Sequence, residues 1–163
     1  MLTEITGDLL SVRSGIICHQ VNYYGVMGGG VAAAIADNIL SAEQYAAYSL
    51  YCKQAGRTAL GTVQFLGCAP GLVVANMFCQ DEALARSGGF CITDYELMRK
   101  CFTRVRNFAQ IQNMAVYVPR NIGCGIAGGD WETVKQIMQD VFADSTVSAV
   151  IVSREAGNGQ KNG

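Results

Sequence analysis

Two segments of the chain combine asparagine, glycine and small apolar residues in a pattern suited to gripping anions through the backbone. The first is Asn22-Tyr23-Tyr24-Gly25-Val26-Met27-Gly28-Gly29-Gly30, preceded by the apolar run Ile16 to Val21. The second is Asn121-Ile122-Gly123-Cys124-Gly125-Ile126-Ala127-Gly128-Gly129, preceded by Val116 to Val118. Both lead into a stretch with helical character. Glycine has no Cβ, so a ligand can approach its backbone and φ can be positive. The first N–H groups of a helix lack intrahelical partners, and with the helix dipole they attract negative charge without any basic side chain. One such loop alone reads best as a tight connection. Two of the same design favour a pair of linked phosphates. Gly123 to Gly128 also fits the GxGxxG pattern of nicotinamide-dependent oxidoreductases, but it leaves little chain to complete a nucleotide-binding half. No GxxxxGK[ST] sequence occurs, which argues against an NTPase.

Three polar side chains border these loops. His19 is the single histidine; it lies at the end of an apolar strand, where a satisfied core histidine and a site residue are equal alternatives. Asn22 has the chemistry either to bond its own loop or to face a ligand, and ligand contact is favoured here. Asp130 immediately precedes a helical stretch, so helix capping toward Glu132 or Thr133 outweighs catalysis. Cys124 fits as a small residue in a tight turn rather than a nucleophile, because no basic partner is identifiable. Trp131 reads as a core anchor.

The elements that must position these residues follow from apolar spacing. Gly15 to Val21, Thr62 to Cys68, Leu72 to Cys79, Ala115 to Val118 and Val147 to Val152 read as strands, with a turn at Ala69-Pro70-Gly71. Val31 to Asn38 and Ala42 to Gln54 read as helices. A third helix starts at Thr93, where Thr93 and Glu96 have capping-box spacing, and it presents Met98, Cys101, Phe102, Val105 and Phe108 on one face. A fourth opens at Trp131 and turns Val134, Ile137, Met138, Val141 and Phe142 inward. The alternation predicts an α/β layered domain with a parallel or mixed sheet.

At 163 residues, 50% hydrophobic and 15% charged, the chain suits one domain with a sizeable core. The formal net charge of -1 argues against bulk attraction to nucleic acid or anionic lipid, although Arg99, Lys100, Arg104 and Arg106 offer a local basic patch. Seven cysteines, no CxxC pair and one histidine make a structural zinc site improbable, and no metal or cofactor is expected. Free thiols and the absence of a signal pattern or a long apolar run predict a cytoplasmic protein without a membrane span. The domain is expected over residues 1–155, with a flexible Gly- and Asn-rich tail at 156–163.

Gly7-Asp8-Leu9, Ile17-Cys18-His19-Gln20-Val21-Asn22, Gly25-Val26-Met27-Gly28-Gly29-Gly30-Val31-Ala32 and Asn121 to Trp131 together resemble, in order and separation, the ligand loops of macrodomains over about residues 1–153. The resemblance points to the branch of ADP-ribose-1″-phosphate phosphatases and terminal ADP-ribose glycohydrolase-like proteins. It implies a three-layer α/β/α fold with a central mixed sheet and ADP-ribose in a cleft above it. It implies that Asp8 bonds the adenine amino group, with Leu9 nearby, and that Asn22 lies near the distal ribose. Gly28, Gly29, Gly30 and Val31, with Met27 beside them, would hold the distal ribose and a phosphate. Asn121, Ile122, Gly123, Cys124, Gly125, Ile126 and Ala127 would wrap the diphosphate through backbone N–H groups.

The chain departs from this pattern in three places. Gln80 stands where the glycohydrolase-like members carry a lysine, Ala127 stands where they carry an aspartate, and Ile151 takes the place of an aromatic beside adenine. His19 matches a histidine of the phosphatase-like members. The expected activity is hydrolysis of ADP-ribose-1″-phosphate, O-acyl-ADP-ribose or a mono-ADP-ribosylated target, with His19, Asn22 or Asp130 assisting a water. The rivals are a non-catalytic ADP-ribose reader and a nicotinamide-dependent oxidoreductase. The expected partner is ADP-ribose or an ADP-ribosylated substrate, nucleic acid only if ADP-ribosylated, and the expected state is a monomer.

Overall fold

The computed structural model describes residues 1–86 and 91–154. Its strands are β1 (Leu2–Thr6), β2 (Gly15–Gln20), β3 (Val63–Ala69), β4 (Leu72–Met77), β5 (Val116–Pro119) and β6 (Ala149–Ser153). The helices are α1 (Gly30–Asn38), α2 (Ala42–Ala55), the short α3 (Ala83–Arg86), α4 (Tyr95–Gln112) and α5 (Trp131–Phe142). The strands form one sheet in the order β1-β6-β5-β2-β4-β3, and every neighbouring pair is parallel except β3 with β4.

Side chains along the inner strands alternate between two separate cores, as strand geometry requires. Ile16 and Cys18, Ala75 and Met77, Val116 and Val118, and Ala149 and Ile151 pack with Phe102, Val105, Met138 and Phe142 of α4 and α5. Their neighbours Ile17, Val74, Val150 and Val152 pack on the other face with Ile35 of α1, while Tyr48 and Cys52 of α2 join a cluster with Val21, Met27 and Phe78. Strands buried on both faces read as continuous apolar runs. The result is the expected three layers, α1 and α2 on one face and α4 and α5 on the other. The inward faces expected for α4 and α5 are those observed, with Phe108 partly buried.

Two details differ from expectation. β1 has no counterpart in the sequence reading; it pairs only with β6 at the sheet edge, and all its residues but Leu2 are exposed. The cap of α4 is Asp94, whose Oδ1 accepts the Leu97 N–H at 3.0 Å, not Thr93. Thr93 is buried in extended backbone and turns its hydroxyl elsewhere, to the Gly123 carbonyl at 2.7 Å. The expected tail at 156–163 lies outside the described residues.

Connectivity fixes where a ligand can sit. From β2 the chain crosses over α1 and α2 toward β3 and β4; from β5 it crosses over α5 toward β6 on the opposite side. β2 and β5 are adjacent and parallel. Two loops that leave neighbouring strands in opposite directions open a crevice at the strands' carboxyl ends. Those loops are the two glycine-rich segments.

Candidate functional site

The first loop is fastened to α2 through its backbone and through Asn22, while Tyr24 and Val26 are exposed. The Asn22 amide donates to the Val26 carbonyl at 2.9 Å, and its Oδ1 accepts the Tyr24 N–H at 3.0 Å and the Tyr48 hydroxyl at 3.0 Å. Tyr48 also donates to the Asn22 carbonyl, and the Ser49 hydroxyl donates to that of Gly25. Gly25 needs its positive φ of 85°, and a Cβ there would come within 3.3 Å of the Ser49 backbone. Met27 is buried in the α2 cluster, and its N–H donates to the Tyr45 hydroxyl. Beyond Met27 the backbone is exposed. The N–H groups of Gly28, Gly29, Gly30 and Val31 have no partner among the described residues, and the N-cap Gly29 provides no side-chain acceptor.

The second loop is held from below. Ile122 is buried in the α4/α5 core, and Asn121 takes the left-handed conformation that asparagine tolerates, φ 67°. Gly129 closes the loop by donating to the Gly123 carbonyl at 2.8 Å. Ile92 and Thr93 donate their N–H groups to the Ala127 carbonyl. The N–H groups of Gly125, Ile126 and Ala127 have no partner among the described residues, and the Ile126 side chain is 97% exposed. The Gln20 amide supports the loop from β2, donating to Thr93 Oγ1 at 3.1 Å.

At the ends of β1 and β6 lies a cleft of about 270 Å³, with Asp8, Leu9, Val152 and Arg154 in its wall; it reaches Val31 at the end of the first loop and Asn121 at the start of the second. Asp8 caps the single helical turn Leu9–Ser11, accepting the Leu10 N–H with one oxygen, and is otherwise exposed. Leu9 is buried beneath it. The sequence reading missed Arg154 and Val152. Ile151, taken as the residue beside adenine, is 1% exposed and belongs to the α4/α5 core; the cleft is lined by Val152, Ser153 and Arg154 instead. A shift of one residue along a strand reverses the face, so the position of β6 in the sheet had to be known.

The three polar side chains proposed for chemistry are committed elsewhere. Asp130 caps α5: its Oδ2 accepts the Thr133 N–H at 3.0 Å and the Thr133 hydroxyl at 2.8 Å, and these bonds hold its carboxyl below the usual range. Asn22 ties its own loop. His19 is 1% exposed, on the α1/α2 side of β2, where it hydrogen-bonds the buried Asn76, which in turn donates to Gln64 at 3.1 Å. The structure therefore brings the glycine loops, Asp8 and Leu9 to one edge and leaves His19 and Met27 in the core. Cys124 carries a thiol pushed up to about 11, first by burial and then by Asp130 and Cys91, so it is not a ready nucleophile. Of the basic patch on α4, Arg99 pairs with Asp140 and Arg106 donates to the Val141 carbonyl.

Burial lowers the His19 pKa to about 4, against a partial opposing effect of the Asn76 bond. A lowered folded pKa means that the unfolded chain binds the extra proton first. Stability is complete above about pH 6.5 and falls as pH drops toward 4, with a slope of at most about 1.4 kcal/mol per pH unit from this group. Denaturant titrations at pH 7, 6, 5 and 4.5 should show the wild type losing more stability than His19→Gln; parallel losses would exclude the effect.

No family model and no curated protein matches the chain. Solved structures do. A protein of unknown function from Bacteroides thetaiotaomicron is 30% identical, with 94% of this chain and 98% of that one covered at a TM-score of 0.81. The macrodomain of Mycobacterium tuberculosis DarG is 26% identical over 93% of this chain and 97% of its own, at a TM-score of 0.77. The chain has the macrodomain fold. Thermosipho africanus DarTG, solved in complex with ADP-ribose, shares that fold at 15% identity, covering 93% of this chain and 41% of its own, with a TM-score of 0.71. Within this fold the chain places its two glycine loops at the carboxyl ends of the central strands β2 and β5. Among its described residues no helix is long and apolar enough to cross a membrane.

Proposed function

We propose that this macrodomain binds ADP-ribose and hydrolyses a derivative of it. The observation that carries the reading is the pair of amide rows without partners among the described residues, Gly28 to Val31 and Gly125 to Ala127, in loops that leave adjacent parallel strands, with Val31 of the first loop and Asn121 of the second in the wall of one cleft. Each row presents hydrogen-bond donors with no acceptor among the described residues. A diphosphate supplies charged acceptors on both sides, and a hydrogen bond to a charged group contributes about 1.5–3 kcal/mol. The mostly apolar cleft with Asp8 in its wall suits a purine, with the carboxylate accepting from the exocyclic amine. The ADP-ribose complex of the Thermosipho africanus relative supports the same ligand class.

Held in this way, the distal ribose lies at the Asn22 end of the first loop. Chemistry there would be cleavage at the anomeric carbon of ADP-ribose-1″-phosphate, or release of an acyl or protein group from the ribose. Fixing the ribose against a bound water supplies most of the acceleration through orientation and electrostatics. The phosphatase-like subgroup is the branch this reading favours, because Gln80 provides no amine to attack the sugar.

A second reading, binding without turnover, draws on the engagement of Asn22 and Asp130 in structural hydrogen bonds. Calorimetry with ADP-ribose and NAD, followed by incubation with ADP-ribose-1″-phosphate, O-acetyl-ADP-ribose and a glutamate-ADP-ribosylated peptide, separates the possibilities. We expect ADP-ribose to bind more tightly than NAD and at least one substrate to release product. Binding without product in all three would favour the reader, and tighter binding of NAD would overturn the site assignment.

A further inference from the structure

Alternate carbonyls of the second glycine loop are taken up inside the protein. That of Asn121 accepts the Cys124 N–H at 2.9 Å, that of Gly123 the Gly129 N–H at 2.8 Å, and that of Gly125 the Gly128 N–H at 3.0 Å. That of Ala127 accepts two, from Ile92 at 2.9 Å and Thr93 at 3.3 Å. A trans peptide unit points its N–H opposite to its carbonyl, so the Gly125 carbonyl turned to Gly128 sends the Ile126 N–H the other way. Of these four carbonyls, those of Gly123 and Ala127 are held from outside the loop, and both by the same pair of residues, Ile92 and Thr93. They stand at the two ends of the arc that carries the free N–H groups of Gly125, Ile126 and Ala127.

The pair is itself braced from the sheet. The Asp81 N–H donates to the Ile92 carbonyl at 2.7 Å, the Asp94 N–H donates to the Cys79 carbonyl at 2.9 Å, and Gln80 and Thr93 form an antiparallel bridge. Cys79 to Asp81 follow closely on the end of β4 at Met77. Asp81 is buried, and Arg57 grips both its oxygens, at 2.9 and 2.7 Å. Thr93 is the joint between brace and loop. Its hydroxyl donates to the Gly123 carbonyl at 2.7 Å and accepts the Gln20 amide at 3.1 Å. A Cβ on Gly123 would fall 3.0 Å from Thr93 Oγ1 and 2.9 Å from Gln20 Oε1, so the loop backbone lies directly on these two side chains. The hydroxyl is not spent on capping α4, which Asp94 does. A buried hydroxyl used as donor and acceptor at once, with a ligand-loop carbonyl as its target, acts on the shape of that loop.

We propose that Thr93 is a positioning residue for the diphosphate: by pinning the Gly123 carbonyl it fixes, before any ligand arrives, the arc whose amides receive a phosphate. The inference rests on the ADP-ribose reading above and names what presets one of its two cradles. A loop already in its bound shape avoids the ordering cost of binding. The first loop does not depend on Thr93, because Tyr45, Tyr48 and Ser49 of α2 fasten it. The consequence is one-sided. Loss of the hydroxyl loosens the Gly125 to Ala127 row and leaves the Gly28 to Val31 row as it was.

The test compares the wild type with Thr93→Val, which keeps the shape and removes the hydroxyl, and with Thr93→Ser, which keeps the hydroxyl and removes the methyl. By calorimetry, ADP-ribose affinity should fall by about 10- to 50-fold in Thr93→Val and stay within about threefold in Thr93→Ser. In proton–nitrogen spectra at saturating ADP-ribose, Thr93→Val should keep the wild-type shifts at Gly28 to Val31 and lose or broaden those at Gly125 to Ala127. A general loss of structure would neither separate the two rows nor be cured by serine. Gln20→Leu, which withdraws the amide from the hydroxyl, carries the test if Thr93→Val does not fold; it should show a loss of about three- to tenfold and the same one-sided spectrum. Wild-type affinity in the variant tested, a Thr93→Ser as weak as Thr93→Val, or equal weakening of both rows would overturn the role of Thr93 and leave the binding reading intact. A wild type that does not bind ADP-ribose would overturn that reading, and the role of Thr93 with it.

Discussion

Replacing Gly29 with aspartate should leave the fold as stable as before, or more so, while removing most ADP-ribose affinity. Gly29 is the N-cap of α1, its backbone is extended at φ -155°, ψ 163°, and a Cβ there meets nothing within 4 Å. Any residue fits. Aspartate is among the best N-caps, and its charge complements the helix dipole, so a gain of about 0.3–1 kcal/mol is expected. The same carboxylate would accept the N–H groups that the account assigns to a phosphate and set a like charge against it. At a separation near 4 Å in a partly solvated site that repulsion is about 4 kcal/mol. An affinity loss of about 100- to 1,000-fold, with an unchanged or raised Tm, is the expected result from calorimetry and thermal unfolding. Opposite signs for stability and binding are hard to obtain unless the cap position is itself the anion site.

Gly129→Ala should damage both. Its Cβ would fall 2.5 Å from the Gly123 carbonyl oxygen, the atom that accepts the Gly129 N–H and the Thr93 hydroxyl. Backbone must move, and the second cradle opens at the point where it is closed. The cost expected from such overpacking is about 1–3 kcal/mol of stability. Misplacing the Gly125 to Ala127 amides should lower ADP-ribose affinity by about 10- to 100-fold, since two to three charge-assisted bonds lose their geometry. Denaturant titration and calorimetry on the same sample check both effects. A stable variant with normal affinity would show that the second loop does not hold the ligand.

The contrast between these glycines also shows what the sequence could disclose. β2, β4 and β6 were legible because they are buried on both faces and read as unbroken apolar runs. β1 was not, because Leu2-Thr3-Glu4-Ile5-Thr6 is an exposed edge strand whose one pairing, to β6, spans nearly the whole chain. Thr93 and Asp94 are both good caps one residue apart, and only the pull of the Gly123 carbonyl on Thr93 decides between them. The glycine cradles were visible as composition. The directions of His19, Met27 and Ile122 were not, since each sits within a ligand-loop motif yet turns its side chain into a core. The support beneath the second loop belongs to no motif: Gln20, Gln80 and Thr93 are brought together across 60 and 73 residues of sequence, and no local pattern announces such a meeting.

The central claim is that backbone amides of two loops receive a diphosphate. A proton–nitrogen correlation spectrum recorded while ADP-ribose is added tests it most directly. Amide protons that gain a charged acceptor shift strongly, so the largest changes should fall on Gly28 to Val31 and on Gly125 to Ala127, in step at one saturation point. Saturable shifts confined to other residues, with both rows unmoved, would contradict the account.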